Sequence, residues 1–125
     1  MVLELMYILN NMGIFSQEDK ISKEYLKQKG FKPFVNMDTW EMYFKLIIYT
    51  DTAFIKYRHT FHYIPFKNIC EFDTVRSQEY GRKLKQTFTF EDPQTQFDMD
   101  TIIERCRQIV STINNVDLDR VKIEL

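Results

Sequence analysis

Polar and apolar residues change their spacing several times along this chain, and each change marks an element. In residues 2–12 apolar side chains lie nearly all round a helix, with only Glu4 and Asn11 sharing a polar stripe, and Gly13 is placed to end it. Ser22 follows Ile21 and precedes Leu26 by four positions, the pattern of an N-cap with a hydrophobic staple. Gly30 then supplies the residue beyond the end of a short second helix, 23–29. Residues 31–38 contain Pro33 and Asn36 and read as a connector.

From Trp40 the period becomes two. Trp40, Met42, Phe44, Leu46 and Ile48 point one way, while Glu41, Tyr43, Lys45, Ile47 and Tyr49 point the other. Thr50-Asp51 reads as a tight turn into a second strand, where Ala53, Ile55, Tyr57, His59, Phe61 and Tyr63 alternate with Phe54, Lys56, Arg58, Thr60 and His62. Pro65 ends that strand, and residues 69–75 pair back as a third. Residues 76–83 read as a polar loop around Gly81. Leu84, Gln86, Phe88 and Phe90 give a fourth strand, closed by Glu91-Asp92-Pro93.

Ile102, Ile103, Cys106, Ile109, Val110 and Ile113 form one apolar stripe, so a long amphipathic helix should lie on the sheet. Asp98 is its expected N-cap, Phe97 staples onto Ile102, and Asn114-Asn115 ends it; Arg105 and Arg107 read as solubilising charge on its outer side. Val121, Ile123 and Leu125 alternate with Lys122 and Glu124 as a short final strand, a helix being the alternative. The expected fold is α+β. Two amino-terminal helices precede an antiparallel sheet of about four strands, and the long carboxyl-terminal amphipathic helix packs on that sheet, all within a single domain, 1–125.

Composition adds two facts to this picture. The aromatic share is 15%, from 11 Phe, 7 Tyr and 1 Trp, so large flat side chains must fill the core or cover its surface. Lys and Arg number 17 against 18 Asp and Glu, a net charge of -1, so no global field draws the chain to nucleic acid or anionic lipid. Cys70 and Cys106 lie far apart with no secretory signal, which reads as reduced core thiols in a cytoplasmic protein. The amino-terminal stretch lacks a basic n-region and is interrupted by polar residues, so neither a signal peptide nor a membrane span is expected.

Catalytic groups do not converge in the sequence. His59 and His62 fall on opposite faces of one strand, no CxxC or HxxxH spacing occurs, and the phosphate-loop and nucleophile-elbow patterns are missing. Glu71 and Asp73 share a strand face, where acidic residues are usually solvated. No metal and no cofactor are therefore expected. One surface has binding character: Lys56, Arg58 and His62 share a strand face, Tyr57 and Tyr63 flank it, and Arg82, Lys83 and Lys85 lie near the last hairpin. Phosphates and stacked bases suit such a patch.

The run Ser22-Lys23-Glu24-Tyr25-Leu26-Lys27-Gln28-Lys29-Gly30-Phe31 resembles the opening of many small proteins encoded by phages and mobile elements. A second run, Tyr63-Ile64-Pro65-Phe66-Lys67-Asn68-Ile69, followed by a terminal amphipathic helix, is similar to the middle of pleckstrin-homology-like domains; the two amino-terminal helices and the lower strand count depart from that fold. The expected function is a non-catalytic protein-binding or regulatory module, phage-encoded and acting on a host protein. Nucleic-acid or nucleotide binding through the basic face is the alternative. Leu5, Leu9 and Met12 are the expected interface of a homodimer, because residues 2–12 carry more apolar surface than one packed side buries.

Overall fold

The computed structural model describes residues 20–52, 57–79 and 82–125. The first helix expected, 2–12, and with it Leu5, Leu9 and Met12, lies outside the described residues. The second is α1, Lys23–Lys29, bounded as its sequence requires. The Ser22 hydroxyl accepts from the Tyr25 N–H at 3.1 Å, and Gly30 ends the helix in the left-handed region, φ 105°. A side chain at Gly30 would also crowd Glu124 O and Leu125 Cδ2, each 3.0 Å from an added Cβ.

Where about four strands and a short final one were expected, the described residues form six antiparallel strands: β1 (Lys32–Val35), β2 (Met42–Thr50), β3 (Arg58–Ile64), β4 (Ile69–Glu79), β5 (Arg82–Glu91) and β6 (Val121–Ile123). The first five form a meander in chain order. Two of the differences from expectation are local. The presumed connector 31–38 contains β1, a strand exposed along its whole length, where Pro33 is tolerated because its second edge pairs with nothing among the described residues. The presumed loop 76–83 is instead mostly ladder, with Gln78 opposite Lys83 and Glu79 opposite Arg82.

The turn between β2 and β3 is also longer than expected. The Thr50 N–H donates to Tyr57 O at 3.0 Å and the Tyr57 N–H donates to the Thr50 hydroxyl at 3.1 Å, so the hairpin closes between residues seven apart in place of a tight Thr50-Asp51 turn. Residues 53–56, including Lys56, lie outside the described residues.

Across the ladder, Phe44, Leu46 and Ile48 of β2 stand beside His59, Phe61 and Tyr63 of β3 and Cys70, Phe72 and Thr74 of β4 on one buried face. The second helix, α2 (Gln96–Asn114), covers this face with Met99, Ile103, Cys106 and Val110. At 19 residues it is about 28 Å long and returns the chain from β5 to β2. Its N-cap is Thr95 rather than Asp98. The Thr95 hydroxyl accepts from the Asp98 N–H at 3.1 Å and the Asp98 carboxylate accepts from the Thr95 N–H at 3.2 Å, a reciprocal capping box that places Asp98 at the third helical position. Phe97 is 77% exposed and does not staple onto Ile102.

The final strand forms as expected. β6 pairs with Ile48–Thr50 of β2, on the same edge that β1 occupies at Met42–Lys45, so β1 and β6 lie end to end along one side of β2. Arg107 of α2, expected to be solubilising, holds this seam: its guanidinium donates to Val121 O at 3.0 Å and to Leu118 O at 3.0 Å. Among the described residues no helix is long and apolar enough to cross a membrane.

Candidate interaction surface

The chain between β1 and β2 is built around Asn36. Its N–H donates to Glu41 O at 2.8 Å, its carbonyl accepts from the Trp40 N–H at 2.7 Å, and its side-chain Oδ1 accepts from the Asp38 N–H at 2.9 Å. This Asx arrangement closes a four-residue loop, Met37-Asp38-Thr39-Trp40, whose last position must turn left-handed for the strands to meet. Trp40 takes that position, with φ 59°. Glycine or asparagine is the usual occupant, since a bulky side chain in the left-handed region costs of order 1–3 kcal/mol. Instead of starting β2 on its core face, Trp40 projects outward at 77% exposure.

Its neighbours are exposed in the same way. Met37 is 74% exposed, and Phe34, Val35 and Met42 are also exposed, so large apolar side chains concentrate in one hairpin while the buried face of the sheet is filled elsewhere. Phe34 stacks on Tyr43 at 5.7 Å, and Tyr43 meets His62 at 4.8 Å, giving a row of rings across β1, β2 and β3 on the face away from α2. Lys45 covers the Phe34 ring at 5.4 Å.

Beside this row lies a cleft of about 560 Å³ between the hairpin loop and the β3–β4 turn. Val35 and Met37 form its apolar rim, and Glu41, Tyr43, His62, Lys67 and Glu71 contribute its polar lining. Glu41 sits against Lys67 at 3.7 Å through one carboxylate oxygen, while the other is buried with no hydrogen-bond partner. Burial lowers the pKa of His62, with Lys45 acting the same way and Asp73 and Glu71 opposing. At neutral pH the cleft therefore holds a neutral imidazole.

Among the described residues, those singled out for phosphate binding are divided between the two faces of the sheet and between β3 and β5. Arg58 and His62 share the open sheet face, but Arg58 is bonded to Glu124 at 2.7 Å, and the ladder sets Glu71 opposite His62 and Asp73 opposite Thr60. Tyr63 lies on the other face, buried, with its hydroxyl donating to Asn68 at 3.2 Å. Tyr57 is half-buried beyond the start of β3. Lys85 is exposed on β5, two strands away from Arg58, and Arg82 and Lys83 begin that same strand.

The buried chemistry is structural. His59 is wholly buried, and its Nδ1 accepts from the Val75 N–H at 2.9 Å, next to the point where β4 slips register between Val75 and Ser77. Burial pushes its pKa down to about 4, against a smaller opposing effect of Asn114, which also donates to Val75 O at 3.1 Å. Cys70 and Cys106 are free, buried thiols, and burial pushes Cys70 up to about 12 and Cys106 higher still. Neither carries thiolate at neutral pH. Among the described residues no three His, Cys, Asp or Glu side chains are placed to hold a metal ion.

Sequence reasoning passed over Asn36, Met37, Trp40 and Glu41 as a site. The available signal was a turn-forming Asn36 and Asp38 interleaved with Val35, Met37, Trp40 and Met42, where a loop ordinarily carries small polar residues. Compared with protein-family models, with curated proteins and with solved structures, the chain matches none.

Proposed function

We propose that this chain is a non-catalytic protein-binding module whose contact surface is the β1–β2 hairpin with the adjoining cleft. The observation that carries the reading is Trp40, a bulky residue at a left-handed position with 77% of its surface in solvent. It contributes nothing to the core and costs backbone strain, which is the profile of a residue kept for contact with something else. Trp and Met are among the side chains enriched at interface centres, and Met37 and Trp40 both belong to the loop at the tip. The cleft behind them offers carboxylate oxygens on Glu41 and Glu71 to donors of the partner.

The nucleic-acid alternative has less support, because Arg58 is paired with Glu124 and the open face beside it carries Glu71 and Asp73. Residues 22–31 resemble phage-encoded proteins, so a bacterial host lysate is the natural source of a partner for the test. Affinity capture with the wild type, Trp40→Gly and Met37→Ser, in nuclease-treated lysate at high salt, separates the readings. A partner retained by the wild type should fall at least tenfold with either variant and be unaffected by Lys85→Glu. Equal retention by all of these chains would refute the hairpin as the contact surface. Loss of every retained molecule on nuclease treatment would favour nucleic acid.

A further inference from the structure

The two rims of the sheet differ in how they are closed. β1 is four residues long and contains Pro33, which deters a further strand. β5 is ten residues long, contains neither proline nor glycine, and has no strand on its outer side among the described residues. From Lys85 to Glu91 it keeps unbroken register with β4, since the slip between Val75 and Ser77 lies beyond Lys85. Two hydrogen bonds show which way its backbone turns. Gln86 O accepts from the Thr74 hydroxyl at 2.9 Å and the Asp92 N–H donates to Asn68 O at 3.0 Å, so the even-numbered residues turn toward β4. By the alternation of an antiparallel ladder, Lys85, Thr87, Thr89 and Glu91 direct their N–H and C=O groups to the outer edge. Their side chains lie on the sheet face away from α2, whereas Phe88 and Phe90 lie on the face toward it.

We propose that β5 pairs with β5 of a second copy of this chain, antiparallel about a two-fold axis at Phe88. The sequence of the edge selects this occupant, because it is complementary to itself. About that axis Lys85 stands opposite Glu91 of the second copy, Thr87 opposite Thr89, and Phe88 opposite Phe88. Opposite charges, paired threonines and paired aromatics are the combinations that stabilise antiparallel ladders, and two-fold symmetry makes the charge and threonine pairs occur twice. The backbone agrees with the side chains. Phe88 turns its N–H and C=O toward β4, so the axis falls on a non-hydrogen-bonded pair, while Thr87 with Thr89 and Lys85 with Glu91 exchange the edge hydrogen bonds. Slipping the axis to Thr87 would set Lys85 opposite Thr89 and replace the Phe88 pair by Phe88 opposite Gln86. The apolar face is also unfinished at this rim. Phe72 of β4 is wholly buried, but Phe88 opposite it is half-buried, and a depression of about 340 Å³ opens beside it against Ile109 and Ile113 of α2. The second copy brings its own Phe88 and Phe90 to the same face. The result is one sheet continuous through both copies, with the two β1–β2 hairpins at its far rims.

Sedimentation equilibrium of the full-length chain tests this. At about 100 micromolar, above a typical micromolar dissociation constant, the wild type should show the mass of a dimer. Thr89→Pro removes an outward N–H and no bond to β4, so it should give a monomer with an unchanged far-ultraviolet spectrum. Lys85→Glu alone and Glu91→Lys alone each set like charges together at two symmetric positions, and each should raise the dissociation constant about tenfold. Combining Lys85→Glu with Glu91→Lys restores opposite charges and should return the constant to within about twofold of the wild type. Trp40→Gly should leave the dimer intact, which separates this contact from the hairpin surface. A wild-type monomer at this concentration would overturn the proposal. A dimer that survives Thr89→Pro would place self-association on another surface, and charge variants that fail to rescue each other would rule out the register at Phe88; either result overturns it as well.

Discussion

The face of the sheet under α2 and the hairpin between β1 and β2 use the same residue types to opposite ends. Beneath α2, Phe61, Phe72, Leu46 and Met99 have no solvent-exposed surface, and the buried His59 accepts from the Val75 N–H through Nδ1. In the hairpin, Phe34, Met37 and Trp40 face water, and the backbone at Trp40 is strained to hold it out. The contrast separates residues that stabilise from residues that contact: one region gains from apolar burial, while the other forgoes it.

The largest expected effect is in the covered region. Phe61→Ala should cost about 3–5 kcal/mol by cavity formation, read as a lower urea midpoint with unchanged slope. A loss below about 1 kcal/mol would mean that the core is not the tightly packed region described.

Acid should act on the same region. His59 is neutral in the fold with a pKa near 4, against an unfolded value of 6.5. The unfolded chain therefore binds the extra proton first, so stability is full above pH 6.5 and falls as pH drops from 6.5 toward 4. The shift corresponds to about 3 kcal/mol. His62 is shifted in the same direction, so the measurement belongs in a His62→Gln background, where most of the slope should remain. A flat stability profile between pH 6.5 and 4.5 would contradict the buried, uncharged His59.

In the hairpin the sign should reverse. Trp40→Gly relieves a left-handed backbone and removes an exposed side chain, so the chain should gain about 1 kcal/mol while losing its partner. If Trp40→Gly destabilises, the tryptophan is packed after all and the contrast collapses. The smallest effect belongs to the open sheet face. Arg58→Gln breaks the ion pair with Glu124, yet Arg58 is exposed and Glu124 only half-buried, so stability should fall by no more than about 0.5 kcal/mol.

These regions also differ in how far the sequence exposed them. Alternation at Phe44, Leu46, Ile48, Phe61 and Tyr63 reports a sheet with one buried face, and the stripe from Ile102 to Val110 reports the helix that covers it, because burial imposes a period. The caps Ser22 and Gly30 were legible for a similar reason, since each answers a local backbone demand. β1 leaves no such trace: all four of its residues are exposed, so no periodicity selects them. Thr95 and Asp98 are interchangeable by residue preference, and only the reciprocal hydrogen bonds distinguish cap from third position. Alternation groups Trp40 with Phe44, Leu46 and Ile48 on one strand face, and a site made of exceptions to that pattern is hidden from any reading that applies it.

The end-to-end placement of β1 and β6 along β2 bears on the order in which the molecule is completed. Strands β1 to β5 each pair with the neighbour just made, so the meander can zip from short-range contacts alone. Residues 48–50 then wait for residues 121–123, a partner separated from them by the whole remainder of the sheet and α2. Until that partner emerges from the ribosome, the Ile48–Thr50 end of one side of β2 is an unpaired edge, the kind of surface on which nascent chains mispair. The Arg107 clasp on Val121 and Leu118 is thus the last latch to close during synthesis, and amide exchange at Val121–Ile123 should show it as the first to open.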